Sequence, residues 1–174
     1  MKNFDALKTI VAMNEEINER TSQLAKLLFE RHTTLALAES CTGGWIAKVL
    51  TDVAGSSEWF LGGVVSYSNA AKHELLAVDE DSLEQFGAVS EQVAKQMVDG
   101  AQRVFSASLA LSVTGVAGPT GGSAEKPLGL VWFGLKQAAK QAVLIQKVFK
   151  GDREQIRQQA VSFALQLLIE SQSS

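Results

Sequence analysis

Ser40 lies in a segment of small and polar residues, Glu39-Ser40-Cys41-Thr42-Gly43-Gly44, between a β-prone run and a helix-forming run. Backbone N–H groups at a helix start stabilise an anion or a developing oxyanion, so a serine beside them is a candidate nucleophile. Serine and threonine are also ordinary helix N-caps. This segment alone therefore supports two interpretations equally well: a nucleophile at Ser40, or a cap supplied by Ser40 or Thr42.

A second segment, Tyr67-Ser68-Asn69-Ala70-Ala71-Lys72, places a phenol at the end of a predicted strand and an amine in the helix that follows. Apolar neighbours desolvate a lysine and lower its pKa toward about 7–8, where the neutral amine is a base. Serine with lysine is a known nucleophile and base pair. The alternative is a solvated Lys72 on an exposed helix face with Tyr67 at a sheet edge, and this segment alone slightly favours that alternative.

The third segment runs from Thr114 to Lys126 and is rich in glycine and small side chains. Its backbone can approach a ligand closely. It has neither the Gly-Lys-Ser/Thr of a Walker A loop nor a Gly-x-Gly-x-x-Gly that opens a helix. A loop that holds phosphate and a mobile hairpin cover are equally good interpretations.

Cys41 is intrinsically a better nucleophile than Ser40, but no histidine partner is evident: His32 precedes the strand and His73 adjoins Lys72. We interpret Cys41 as a small buried hydrophobic residue. One cysteine excludes an intramolecular disulfide, and these three residues are too few for a Cys/His zinc site. The acidic run 79–81 favours a helix N-terminus rather than a metal cluster. We expect neither a metal ion nor a cofactor.

The elements that position these segments follow from the spacing of apolar residues. The residues 1–12 are interpreted as a short extra helix or an arm, and 171–174 as a frayed tail. Ser90 is the predicted N-cap of one long helix. Helices are predicted over 14–31, 42–53, 70–77, 91–105 and 152–169, and strands over 33–39, 61–68, 109–116, 128–136 and 142–148.

Five strands interleaved with helices predict an α/β protein, a three-layer α/β/α sandwich. The last two strands are joined too closely for a parallel crossover, so the sheet is predicted to be mixed and mostly parallel. Ligands of such sheets bind outside the carboxyl ends of the strands. All three segments follow a predicted strand, which groups them into one candidate site.

Composition limits the classes of function. The 174 residues correspond to about one domain, and 46% hydrophobic and 20% charged residues are typical of a globular chain. A formal charge of −3 without a basic stripe argues against a nucleic-acid partner. No secretory leader and no apolar run of about 20 residues is evident, so we expect a cytoplasmic protein with no membrane partner.

At these motifs the sequence resembles the C-terminal domain family of the competence/damage-inducible protein CinA, whose free-standing members include nicotinamide-nucleotide amidohydrolases. The resemblance runs from about Glu16 to Leu168, so residues 1–15 are predicted to be an N-terminal extension and 16–170 a single domain. Its three motifs are Ala38-Glu39-Ser40-Cys41-Thr42-Gly43-Gly44, then Tyr67-Ser68-Asn69 with Lys72, and Thr114-Gly115-Val116-Ala117-Gly118-Pro119-Thr120-Gly121-Gly122 leading to Lys126-Pro127-Leu128-Gly129.

The resemblance implies a mixed five-stranded sheet and hydrolysis of the carboxamide of nicotinamide mononucleotide to nicotinate mononucleotide and ammonia, a reaction of pyridine nucleotide salvage. Ser40 is implied as the nucleophile, Lys72 as its base, and Tyr67 as the third member that relays the proton or orients the base. The residues expected to bind the substrate are Thr42, Gly43, Gly44, Asn69, Thr114, Gly115, Gly118, Gly121 and Gly122.

The phosphate of the nucleotide is expected at a helix N-terminus or at the glycine-rich loop, with Lys126 as a further candidate. The partner is expected to be this small molecule, and the assembly a homo-oligomer. The alternative function is a non-catalytic module that binds a nucleotide or a protein and has kept the pocket.

Overall fold

The computed structural model describes residues 2–172 and the side chains of residues 11–172. The first half of the chain contains α1 (Lys2–Glu30), β1 (Leu35–Glu39), α2 (Trp45–Thr51), β2 (Phe60–Val65), α3 (Asn69–Leu76) and α4 (Glu80–Phe86). The second half contains α5 (Glu91–Phe105), β3 (Leu109–Gly115), β4 (Leu130–Gln137), β5 (Val143–Val148) and α6 (Arg153–Ser171).

The five strands form one sheet in the order β2-β1-β3-β4-β5. β1 is parallel to both β2 and β3, whereas β4 is antiparallel to β3 and to β5. Four strands therefore run in one direction and β4 runs against them, which confirms the predicted mixed, mostly parallel sheet. The short connection between β4 and β5 leaves room only for an antiparallel pair.

Helices cover both faces of the sheet. One core joins α1, α2 and α6 to the side chains of Leu35 and Leu37, while the other joins α3, α4 and α5 to Ala38 and Ala110. Successive residues of a strand point to opposite faces, so β1 contributes to both cores and is buried along its whole length. The predicted three-layer α/β/α sandwich is confirmed.

Most predicted elements are observed within a few residues of their expected ends, and the N-cap assignment at Ser90 is confirmed. The Ser90 hydroxyl accepts a hydrogen bond from the Val93 N–H at 3.3 Å. The acidic run 79–81 begins α4, as predicted. The helix predicted over 42–53 instead starts at Trp45, because residues 40–44 form the turn that links it to β1.

Two predictions at the ends of the chain differ from the structure. A single helix, α1, replaces the short extra element and the separate helix over 14–31. At the other end α6 continues to Ser171 and Gln172 is buried, so these two residues are not a frayed tail. Residues 173 and 174 lie outside the described residues. Over the range that the structure describes, none of the helices is long and apolar enough to cross a membrane.

Candidate active site

Ser40 is the first residue after β1, at the carboxyl edge of the sheet, and is nearly buried. Its N–H donates to the carbonyl oxygen of Val113 at 2.9 Å, which extends the pairing of β1 with β3 by one residue. Gly43 and Gly44 then adopt positive φ angles of 63° and 89°. Glycine adopts this left-handed conformation without strain, so the chain passes from strand to helix within five residues.

The N-terminus of α2 is capped by a residue that the sequence analysis did not assign. The buried carboxylate of Glu39 accepts hydrogen bonds from the N–H groups of Gly44 at 3.0 Å, Ile46 at 3.2 Å and Ala47 at 2.8 Å. The interpretation that Ser40 or Thr42 caps this helix is therefore wrong. Because the carboxylate of Glu39 accepts the hydrogen bonds of these N–H groups, the Ser40 hydroxyl is not used as a helix cap.

Of the two backbone N–H groups directly after Ser40, that of Cys41 is the one open to a ligand, because Thr42 is fully buried. The N–H of Gly43 donates to the carbonyl oxygen of Ser40 at 3.1 Å, and that of Gly44 is held by Glu39. The N–H groups of Cys41 and Thr42 donate to no acceptor among the described residues. Such donors beside a nucleophile are suited to a developing oxyanion.

Lys72 is buried, with 1% of its surface exposed. Its Nζ atom lies 3.0 Å from Ser40 Oγ, 2.6 Å from the Ser66 carbonyl oxygen and 3.4 Å from the Tyr67 carbonyl oxygen. Burial lowers the pKa of Lys72 from 10.5 to about 8. The alternative of a solvated lysine is therefore wrong.

This arrangement fits a neutral amine. A neutral amine has two N–H donors and one lone pair, and the two carbonyl oxygens of Ser66 and Tyr67 can only accept. When both N–H groups point to these carbonyls, the lone pair is left for the hydroxyl proton of Ser40. The surroundings of Lys72 thus orient it as a base toward one particular hydroxyl.

Tyr67 lies in the loop before α3 rather than at the end of β2, and its side chain is 62% exposed. Its hydroxyl accepts a hydrogen bond from Arg153 at 3.0 Å, and the same guanidinium donates to the Gly118 carbonyl oxygen at 2.6 Å. Among the described residues the Tyr67 hydroxyl is hydrogen-bonded to neither Ser40 nor Lys72. Arg153 therefore connects Tyr67 in the second segment with Gly118 in the third. The sequence analysis did not predict a role for this arginine.

These groups surround a cleft of about 250 Å³ at the carboxyl edge of the sheet. Five predicted site residues line it: Ser40, Tyr67, Lys72, Thr114 and Gly115. Sequence analysis missed the other lining residues, which are Cys41, Ala88, Val89, Ala117 and Arg153. The three segments do meet at one site, with one wall supplied by the loop before α5.

The remaining predicted binding residues are not among those that line this cleft. They are Thr42, Gly43, Gly44, Asn69, Gly118, Gly121 and Gly122. Asn69 instead lines a neighbouring cleft of about 330 Å³ between α3 and α4, with His73 and Glu80. This neighbouring cleft contains neither Ser40 nor Lys72.

The start and the end of the glycine-rich loop are fixed by contacts within the protein. Thr114 donates its hydroxyl to the Ala88 carbonyl oxygen at 2.8 Å, and Lys126 donates its ammonium to the Phe86 carbonyl oxygen. A Cβ atom on Gly115 would lie 2.7 Å from Val131 Cγ2, so this glycine is required by packing against β4. Lys126, the further phosphate candidate, thus holds the loop on the turn after α4.

Cys41 does not compete with Ser40 as the nucleophile. Burial raises the pKa of its thiol to about 12, so the reactive thiolate is nearly absent at neutral pH. In the described part of the chain, no group of three or more His, Cys, Asp or Glu side chains is placed to hold a metal ion. The groups that remain in the cleft are a serine, a buried lysine and the backbone N–H of Cys41.

Known proteins resemble this chain over most of its length. A family model described as the CinA C-terminal domain matches residues 17–172. The nicotinamide-nucleotide amidohydrolase PncC of Enterobacter agglomerans is 51% identical over 152 residues, which cover 87% of this chain and 93% of that protein. The protein of the same name from Escherichia coli strain K12 is 47% identical over 155 residues, 89% of this chain and 94% of its own length.

Solved structures share the fold. The competence/damage inducible protein CihA from Agrobacterium tumefaciens superposes with a TM-score of 0.87 at 40% identity, and the match covers 91% of this chain and 96% of that one. A CinA superfamily protein from Klebsiella pneumoniae superposes with a TM-score of 0.86 at 36% identity, over 90% and 98% of the two chains.

Proposed function

The chain belongs to the CinA C-terminal domain family, and from that premise we propose that it hydrolyses the carboxamide of nicotinamide mononucleotide to nicotinate mononucleotide and ammonia. Relatives named nicotinamide-nucleotide amidohydrolase share 47–51% of their residues with it along nearly their whole length. The observation that carries the mechanism is the 3.0 Å separation of Ser40 Oγ and Lys72 Nζ inside a cleft. No metal or cofactor is required by this proposal.

Acylation begins when neutral Lys72 accepts the hydroxyl proton of Ser40 and Oγ attacks the carboxamide carbon. The carbonyl oxygen becomes an oxyanion, which the N–H group of Cys41, a residue that lines the cleft, stabilises. The Lys72 ammonium then returns its proton to the departing nitrogen. The C–N bond breaks, ammonia leaves and an ester on Ser40 remains.

Deacylation uses the same groups, with water as the nucleophile and Ser40 Oγ as the leaving group. Lys72 is again neutral and accepts a proton from a water molecule, whose oxygen attacks the ester carbon. The C–O bond to Ser40 breaks, and the Lys72 proton passes to Oγ. The products are nicotinate mononucleotide and the original enzyme, so one water is consumed for each ammonia released.

Arg153 is the group best suited to the phosphate of the substrate. It lines the cleft, is exposed and uses two of its five N–H donors on Tyr67 and Gly118. A guanidinium binds phosphate oxygens with paired hydrogen bonds. We place the carboxamide at Ser40 and the phosphate at Arg153, with the N–H groups of Thr120, Gly121 and Gly122 in the glycine-rich loop as further donors.

Tyr67 contacts both the proposed base, Lys72, and the proposed phosphate ligand, Arg153. Its carbonyl oxygen accepts from Lys72 and its hydroxyl accepts from Arg153. In this proposal it orients the base and the phosphate group, rather than carrying the proton itself. Homo-oligomeric assembly and a cytoplasmic location stay predictions from the sequence.

Incubation of the purified chain with nicotinamide mononucleotide tests the function. The proposal predicts equimolar ammonia and nicotinate mononucleotide, measured by an enzyme-coupled ammonia assay and by chromatography. Treatment with a chelator leaves the rate unchanged. Binding of the nucleotide by calorimetry without release of ammonia would instead support the non-catalytic module.

A further inference from the structure

Arg157, one helical turn after Arg153 in α6, holds the turn that carries Ser40. Its Nε donates to the Cys41 carbonyl oxygen at 3.0 Å and its Nη2 donates to the Thr42 carbonyl oxygen at 2.8 Å. The guanidinium also stacks over the Trp45 ring at 5.4 Å from the ring centre. Arg157 is not among the residues that line the cleft, so its contacts are with the protein rather than with a bound substrate.

The two carbonyls that Arg157 binds determine where the free N–H groups point. In a trans peptide the C=O and the following N–H point in opposite directions. The bond to the Cys41 carbonyl therefore fixes the direction of the Thr42 N–H. The bond to the Thr42 carbonyl fixes the Gly43 N–H, which donates to the Ser40 carbonyl oxygen at 3.1 Å.

The bond from Arg157 to the Thr42 carbonyl also affects the peptide group between Ser40 and Cys41. Because the Ser40 carbonyl is turned toward Gly43, the N–H of Cys41 points the opposite way. Both N–H groups that lack an acceptor among the described residues thus take their direction from one guanidinium. Glu39 fixes the other side of the same turn through Gly44.

We propose that Arg157 is a positioning residue that holds the turn 40–43, and with it the N–H group of Cys41, in the orientation that stabilises the oxyanion formed on attack by Ser40. The inference rests on the proposed function for the identity of the substrate. Its geometric part applies to any acyl or phosphoryl group that Ser40 attacks. A lysine at this position could not replace Arg157, because one ammonium lacks the planar fork that reaches both carbonyls.

The test compares Arg157→Met and Arg157→Lys with Arg103→Met as the matched control. Arg103 also donates to a backbone carbonyl, that of Leu76 at 3.2 Å, but it lies on the opposite face of the sheet. Each variant is assayed for turnover of nicotinamide mononucleotide. Each is also assayed for labelling of Ser40 by an alkyl fluorophosphonate, in which Oγ bonds to phosphorus and fluoride leaves.

We expect Arg157→Met to lower kcat by about 10²-fold, the effect of losing one oxyanion donor, with KM changed by less than about threefold. The rate of Ser40 labelling falls by a similar factor. Arg157→Lys keeps the thermal stability of the wild type but recovers less than about tenfold of the kcat that Arg157→Met loses. Arg103→Met retains both rates.

Several results would overturn the proposal. Unchanged kcat and labelling in Arg157→Met would leave Arg157 a structural residue, and a rise in KM alone would make it a substrate contact. If Arg157→Met does not fold, Arg157→Lys is read by the same criteria. If the wild-type chain labels at Ser40 without releasing ammonia, the proposed function fails and the labelling rates alone decide the role of Arg157. A wild-type Ser40 that does not label overturns the role as well.

Discussion

The Nζ atom of Lys72 lies 3.0 Å from the Oγ atom of Ser40, although 32 positions separate them in the sequence. Ser40 follows β1, and Lys72 lies in α3, which follows β2. These strands are parallel neighbours, with Glu39 paired to Val65 at their carboxyl ends. The pairing of β1 with β2 therefore brings the nucleophile and its base together.

The pH dependence of turnover follows from the base. Lys72 accepts the Ser40 proton only when it is neutral, and its pKa is lowered to about 8 by burial. We expect kcat/KM to rise with pH and to level off above an apparent pKa near 8. Lys72→Arg should lose at least about 10³-fold because a guanidinium stays protonated. A flat profile from pH 6 to 10, or an active Lys72→Arg, would contradict this role.

The same group makes stability depend on pH. Between about 8 and 10.5 the unfolded chain protonates Lys72 and the folded chain does not, so the free energy of unfolding rises with pH. The rise is about 1.4 kcal/mol per pH unit for one group. Urea unfolding of the wild type and of Lys72→Met over this range measures it. The free energy of unfolding of the wild type should rise with pH relative to that of Lys72→Met. If the two free energies change in parallel with pH, Lys72 has its ordinary pKa.

Cys41 should be dispensable as a side chain. Its thiol stays protonated because burial raises its pKa to about 12, and alanine keeps the backbone N–H that follows Ser40. We expect Cys41→Ala to retain kcat within about tenfold while losing about 1 kcal/mol of stability. Steady-state ammonia release and thermal unfolding measure the two effects. A loss of kcat comparable to that of Ser40→Ala would move the nucleophile to Cys41.

Much of this site was predictable from local patterns. The three segments each follow a strand, and parallel strands place their carboxyl ends at one edge, so Ser40, Lys72 and Thr114 were expected to meet. The structure brings all three to one cleft. The apolar residues around Lys72 made its burial one of two interpretations, and the packing of α3 on the sheet decides between them.

The contacts made by Glu39, Arg153 and Arg157 were not predictable from spacing. Glu39 has the sequence position of a strand residue, and only the fold of the turn brings its carboxylate to α2. Arg153 contacts Tyr67, which lies 86 positions away, and Arg157 contacts Cys41, which lies 116 positions away. Local periodicity carries no information over such separations. One signal was available: α6 follows β5, which runs parallel to β1, so its first turns lie at the edge of the sheet that carries the site.

The glycine-rich loop shows a packing role for one glycine that the sequence did not indicate. Gly115 was expected to bind substrate, and although it lines the cleft, its missing side chain is required by the close approach of Val131. Gly121 and Gly122 are exposed and are not among the lining residues. A glycine pattern does not distinguish close packing from close approach to a ligand.

Recognition of the phosphate can be measured with substrates that differ only in that group. Arg153 binds the phosphate in this account, and that remote binding energy holds the carboxamide at Ser40. The riboside of nicotinamide should therefore have a kcat/KM at least about 10²-fold below that of the mononucleotide. Arg153→Met should remove most of this preference, whereas Arg103→Met should keep it. Equal kcat/KM for the two substrates in the wild type would place specificity elsewhere.

The role of Ser40 as the nucleophile is decided by the rate at which Ser40→Ala releases ammonia from nicotinamide mononucleotide, measured beside the wild type. The Ser40 hydroxyl supplies the attacking oxygen of acylation and the leaving oxygen of deacylation, and its removal leaves Lys72 and the backbone of the turn in place. We expect kcat to fall by about 10⁴-fold or more, with thermal stability and nucleotide binding retained. Turnover by Ser40→Ala within about tenfold of the wild type would show that another group attacks the carboxamide.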